Sequence, residues 1–228
     1  MKKKLVILIA LMASLFLVVG SANATLMPTL DFSIKASLLQ TGIISYSGSQ
    51  SPLVGIGIVV DEVVGLNTPS NSGVPLPISG GLLDFTTGAS TGTWTWGGSP
   101  GSSITMSGTV PGITGSNLLS GSFGTASVYY LSGDFHISGA AFSDVKNQDL
   151  LNFYGLPYYA PDGTIQQYMG NFNISFQAPY TTGGANFTSS QVLSGDVTNV
   201  VPEPGTMFLL GSALMGLGLV RFRKKFRH

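Results

Sequence analysis

Phe172-Asn173-Ile174-Ser175-Phe176 alternates apolar and polar side chains without a break. A period of two puts the rings on one face and the amides and hydroxyls on the other. The segment therefore predicts a strand that is half in a core and half in water. Thr93-Trp94-Thr95-Trp96 and Ile104-Thr105-Met106-Ser107 read the same way. Further strands are expected within Leu30–Leu39, Gly42–Tyr46, Val54–Val60, Leu82–Thr86, Ser120–Tyr130, Phe135–Ile137 and Val192–Val197. Clusters of Gly, Pro, Ser and Asn separate them, which is turn chemistry. Helical spacing is confined to Phe142–Phe153, with Asp144 near its N-cap, while Asn67–Gly81 and Gly155–Gly163 read as surface loops. Leu119-Ser-Gly-Ser-Phe123, Leu131-Ser-Gly-Asp-Phe135 and Leu193-Ser-Gly-Asp-Val197 suggest one recurrent strand element with a glycine bend. Many short strands at near-regular spacing predict a mainly β fold. We expect a single β-sandwich or jelly-roll-like domain over residues 25–198.

The composition of that body limits its chemistry. The chain has 228 residues, no cysteine and a formal net charge of zero, with ten basic residues against ten acidic ones. The balance hides a segregation. Between Thr25 and Val200 the cations are Lys35 and Lys146 alone, facing nine acids, so two minus nine leaves −7. Nothing there can neutralise a row of phosphates, which argues against nucleic-acid binding. Thiol chemistry and disulfide stapling are absent with cysteine. The same stretch holds 43 serines and threonines, so its solubility must come from hydroxyls and amides rather than ions. Low charge also weakens self-repulsion, which suits a molecule packed into a polymer matrix.

The basic residues sit at the ends. Lys2–Lys4, the apolar run Leu5–Gly20 and Ala22-Asn23-Ala24 have the order of a secretory signal peptide spanning residues 1–24. At the other end, residues 199–228 combine Pro202-Glu203-Pro204, the apolar run Met207–Val220 and a basic tail over 221–228. Fourteen residues of helix at about 1.5 Å each make a marginal transmembrane span. Arg221, Arg223, Lys224, Lys225 and Arg227 would keep the tail on the cytoplasmic side and leave the body outside. The two prolines hold the backbone extended just before the helix.

This order of Pro-Glu-Pro, short apolar helix and arginine-rich tail resembles the PEP-CTERM sorting signal of Gram-negative bacteria. The resemblance covers residues 201–228. It implies signal peptidase and an exosortase-type sorting protease as partners. It also implies a transient inner-membrane anchor, then release or attachment at the cell surface, often in species that make exopolysaccharide and biofilm. It implies nothing about the fold of the body.

Within the body, His136 lies in a predicted strand and no G-x-S-x-G elbow accompanies it. A glycoside hydrolase needs two carboxylates flanking a cleft, and the adjacent Asp61 and Glu62 would point to opposite faces of a strand. Asp144, Asn147 and Asp149 offer hard oxygens for a structural calcium, although the EF-hand pattern is missing. Trp94 and Trp96, projecting from one strand face, and Tyr158 and Tyr159 in a loop could stack on sugar rings. The expectation is an exported, non-enzymatic structural protein of the cell surface or extracellular matrix, without a cofactor. The alternatives are a carbohydrate-binding module using the tryptophans and a secreted glycoside hydrolase.

Overall fold

The computed structural model describes residues 27–35, 42–98 and 100–200. Among the described residues the chain forms fourteen strands and one short helix. In chain order the strands are β1 (Thr29–Ile34), β2 (Ile43–Tyr46), β3 (Leu53–Val59), β4 (Glu62–Leu66), β5 (Pro75–Pro77), β6 (Ser79–Thr86) and β7 (Ser90–Gly92). There follow β8 (Thr95–Gly97), β9 (Ser103–Thr109), β10 (Asn117–Leu131) and β11 (Asp134–Lys146). After helix α1 (Gln148–Tyr154) come β12 (Tyr168–Gln177), β13 (Phe187–Thr188) and β14 (Gln191–Val200). The protein is mainly β, as the periodicity predicts.

All pairings are antiparallel, and the ladder runs β13-β2-β3-β6-β9-β10-β11-β12-β14-β1-β4-β5, with the β7–β8 hairpin joined to β10. This ribbon folds over on itself. Phe85 of β6 and Phe172 of β12 are separated by three strands in the ladder, yet their rings lie 5.1 Å apart. Phe187 of β13, at one end of the ribbon, touches Phe135 of β11 and Phe176 of β12 at 5.7 and 5.5 Å. The inner faces therefore meet in one aromatic core, an arrangement consistent with a β-sandwich. The long pair β10 and β11 carries register shifts between Phe123 and Ser127. Bulges of this kind bend a strand and let it pass from one layer to the other.

The alternation is exact in β12, where Tyr168, Gly170, Phe172, Ile174 and Phe176 are buried. Asn171, Asn173 and Gln177 stay exposed on the other face. β9 repeats this with Ile104 and Met106 inside and Ser103, Thr105 and Thr109 outside. Hydroxyls and amides make up most of the outward positions of these two strands, with Met169 exposed among them.

Several expectations are corrected. Phe142–Lys146 continues β11, and the helix starts only at Gln148, with Asn147 rather than Asp144 as N-cap. Thr93-Trp94 forms the turn of the β7–β8 hairpin, and only Thr95–Gly97 is strand. The loop expected over Asn67–Gly81 contains β5 and the start of β6. The three Leu-Ser-Gly segments are not one element. Leu119–Phe123 is plain strand, Ser132-Gly133 is the β10–β11 turn, and Ser194 lies beside a register shift in β14.

Candidate functional site

β14 lies between β12 and β1, with Val200 opposite both Met169 and Thr29. Thr29, the first residue of β1, and Val200, the last of β14, therefore lie side by side at one end of the sheet. Pro202 follows two residues later in the sequence, so the Pro-Glu-Pro motif stands directly behind β14. Pro202, Glu203, Pro204, the expected helix Met207–Val220 and the cations Arg221, Arg223, Lys224, Lys225 and Arg227 lie outside the described residues, as does the expected signal peptide. Among the described residues no helix is long and apolar enough to cross a membrane.

The tryptophans do not form a sugar platform. Trp94 is 6% and Trp96 1% exposed. Trp94 sits at φ 49° in the hairpin turn, a left-handed conformation that costs a non-glycine residue about 1–2 kcal/mol. Packing holds it there. Its ring meets Phe135 edge-on at 5.4 Å, and its Nε1 donates to the Ala185 carbonyl at 2.9 Å. Trp96 packs edge-on against Tyr46 at 5.1 Å and donates to the Ser51 carbonyl at 3.1 Å. Both indoles are core residues with their polar ends paired, as buried tryptophans require. Tyr158 is half-buried, and Tyr159, 57% exposed, stands edge-on to it at 4.9 Å. Of the four aromatics expected to bind sugar, only Tyr159 faces water.

Asp144, Asn147 and Asp149 do not converge on a cation. Asn147 Oδ1 accepts from the Asp149 and Leu150 amides at 2.9 and 3.1 Å, capping α1. Asp149 accepts from the Thr114 amide and hydroxyl, and these bonds hold its carboxyl below the usual range. Asp144 is buried on the inner face, where it accepts from Lys146 Nζ and from Asn199 Nδ2, the latter at 2.7 Å. Each oxygen set is committed to a different protein partner, which does not fit a shared calcium. Among the described residues no three acidic or histidine side chains group as metal ligands.

His136 on β11 is half-buried and stacks on Tyr129 at 5.1 Å, while its Nδ1 lies 2.9 Å from Ser175 Oγ on β12. Ser175 also lines a polar depression on the outer face of β1, β14 and β12, together with Ser33, Lys35, Asn173, Ser194 and Asp196. The remaining carboxylates mostly have partners of their own. Asp84 accepts from the Gly57 amide at 2.7 Å, Asp162 from Thr164, Asp134 from Gln177, and Asp61 from the Lys35 amide. Glu62 pairs with Lys35 Nζ at 3.4 Å.

The cluster that the sequence did not announce is Asp144, Lys146 and Asn199. Lys146 is one of two cations in the body, yet its side chain and that of Asp144 are 0% exposed. Burial lowers the Lys146 ammonium to about 8 and raises the Asp144 carboxyl, in each case against the pull of the partner charge. The available signal was the sequence itself, since Phe142, Asp144 and Lys146 share the strand parity that points inward.

No curated protein and no solved structure matches this chain. Residues 200–224, beginning at the last residue of β14, match the family model of the PEP-CTERM protein-sorting motif, so the chain carries this sorting signal directly behind its β domain.

Proposed function

We propose that this chain is an exported structural protein of a Gram-negative cell surface or extracellular matrix, delivered by its C-terminal sorting signal. The observation that carries the reading is the sorting motif set immediately after β14. Such a motif implies export and processing by exosortase-type machinery. In this reading residues 1–24 direct export and are removed by signal peptidase. Met207–Val220 then holds the chain in the inner membrane with its body outside. Cleavage near Pro202–Pro204 frees the domain from helix and basic tail.

A structural rather than catalytic role is supported by the carboxylates. Asp61, Glu62, Asp84, Asp134, Asp144, Asp149 and Asp162 each have a specific protein partner. Affinity for an exopolysaccharide matrix is supported by the weakly charged outer face of hydroxyls and amides. With the tryptophans buried, that contact would fall to strand side chains such as Asn171, Asn173 and Thr105.

Replacing Pro202, Glu203 and Pro204 with alanines tests the sorting step. The variant should accumulate at full length in the membrane fraction while the wild type is processed. Equal release of both would mean that the motif is incidental.

A further inference from the structure

Lys146 closes β11 and Asn199 is the penultimate residue of β14, with β12 between them in the ladder. One carboxylate joins them: Asp144 accepts from Lys146 Nζ through Oδ2 and from Asn199 Nδ2 through Oδ1, the second bond at 2.7 Å. All three residues are buried, and Asn199 Oδ1 has no hydrogen-bond partner among the described residues. The sheet is opened for this contact. Gly170 stands opposite both Phe142 and Asn199, and a Cβ there would run into the Phe142 ring and the Asn199 amide. The rings of Phe32 and Tyr168 lie 5.7 and 5.5 Å from Nζ and complete a dry enclosure.

A buried ion pair is a poor stabilising device, because desolvating both charges offsets most of their attraction. In a body with two cations, placing one in the core asks for another reason. We propose that Lys146 and Asn199 react in the folded core to form an intramolecular amide bond, with Asp144 as the proton carrier, so that β11 is covalently tied to β14.

The reaction needs no co-reactant. Asp144 takes a proton from the Lys146 ammonium, a transfer that burial makes less costly because it shifts both groups toward their neutral forms. The amine lone pair attacks Cγ of Asn199, forming the C–N bond. The protonated Asp144 supplies a proton to the amide and recovers one from the attacking nitrogen. The Cγ–Nδ2 bond then breaks and ammonia leaves. Ammonium, carboxylate and primary amide have become secondary amide, carboxylic acid and ammonia, with atoms and charge conserved. Holding amine, amide and acid together in a dry site supplies the proximity that makes an unreactive pair react. The bond lies one residue before Val200, where the sorting segment begins, so any pull on the tail would enter the sheet through it.

Intact mass of the natively purified full-length chain tests this, and so does the mass of the processed form once its termini are known. The folded protein should be lighter than its sequence by one ammonia. A peptic digest should contain a branched peptide joining the Lys146 and Asn199 segments. Closure of Asn199 onto its own backbone would lose the same mass but leave no branch, and it would persist in Lys146→Met. Lys146→Met and Asp144→Asn should both restore the full sequence mass. A folded wild-type protein at full sequence mass overturns the proposal. So does an ammonia loss that survives Lys146→Met.

Discussion

Asp31 points outward from β1 across from Thr198, while Asp196 of β14 faces Ser33 on the same side. Its Oδ1 is buried without a hydrogen-bond partner among the described residues. Burial, and secondarily the charge of Asp196, raises its carboxyl above the ordinary 3.8. The folded state therefore holds this proton more tightly than the unfolded chain does. By linkage, the residue costs stability above its folded pKa, and the cost fades as pH falls through that pKa and then through the unfolded value. Asp31→Asn removes the charge and keeps the shape. It should raise the thermal midpoint at neutral pH, with the gain disappearing in strong acid where both proteins are uncharged at this site. A melt series across that pH range checks it, and a variant less stable than wild type at neutral pH would refute the assignment. Trp94 makes the complementary point at this scale. Its strained backbone is tolerated because its ring and Nε1 are both engaged in the core.

At the scale of elements, α1 is the one helix among the described strands, and it is held at both ends. Asn147 caps two amides through Oδ1 and donates through Nδ2 to the carbonyls of Thr114 and Asn117 at 2.8 and 3.3 Å. Gly155 ends the helix at φ 70°, a left-handed C-cap that glycine adopts without strain. A lost N-cap typically costs about 0.5–2 kcal/mol. Asn147→Ala should fall at the upper end, because the loop bonds go with the cap. Chemical denaturation against wild type measures this, and an unchanged midpoint would show that the cap is idle. The reach of sequence reading is clearest at this scale. β12, β9, β2 and β3 are legible because each carries at least two large apolar residues on its inward face, such as Phe172, Ile174 and Phe176 in β12 and Ile104 and Met106 in β9. β11 was legible only as far as Ile137, because its later inward positions include Asp144 and Lys146, which look like a solvated helix start. β4 is not legible, because Val63 is its one large inward side chain. Its inward Gly65 leaves room for the Tyr154 ring, whose hydroxyl donates to the Val63 and Val74 carbonyls. The tryptophans were misplaced because a two-residue turn preserves the polar–aromatic alternation of a strand. The sorting segment was legible because its meaning lies in linear order and needs no fold.

For the whole molecule, the decisive feature is that the last strand among the described residues, β14, is an interior one. β1, β4 and β5 join the rest of the ladder solely through β14. The described ladder therefore cannot be completed until Val200 is available, and its last strand ends two residues before Pro202. This division matches the sorting reading, in which the tail is discarded and the domain must survive the cut. It predicts two opposite outcomes from two truncations. A chain ending at Val200 should keep the near-ultraviolet signal of its buried tryptophans, resist protease and unfold at the midpoint of the longer form. A chain ending at Ser190 loses β14 whole and leaves β12 and β1 with facing unpaired edges. Exposed edges of that kind aggregate, so this product should be protease-sensitive and lack the aromatic signal. Native-like behaviour of the chain ending at Ser190 would mean that β14 is an accessory strand. Collapse of the chain ending at Val200 would mean that the tail belongs to the fold, and that cleavage near Pro202–Pro204 would destroy the domain it is meant to release.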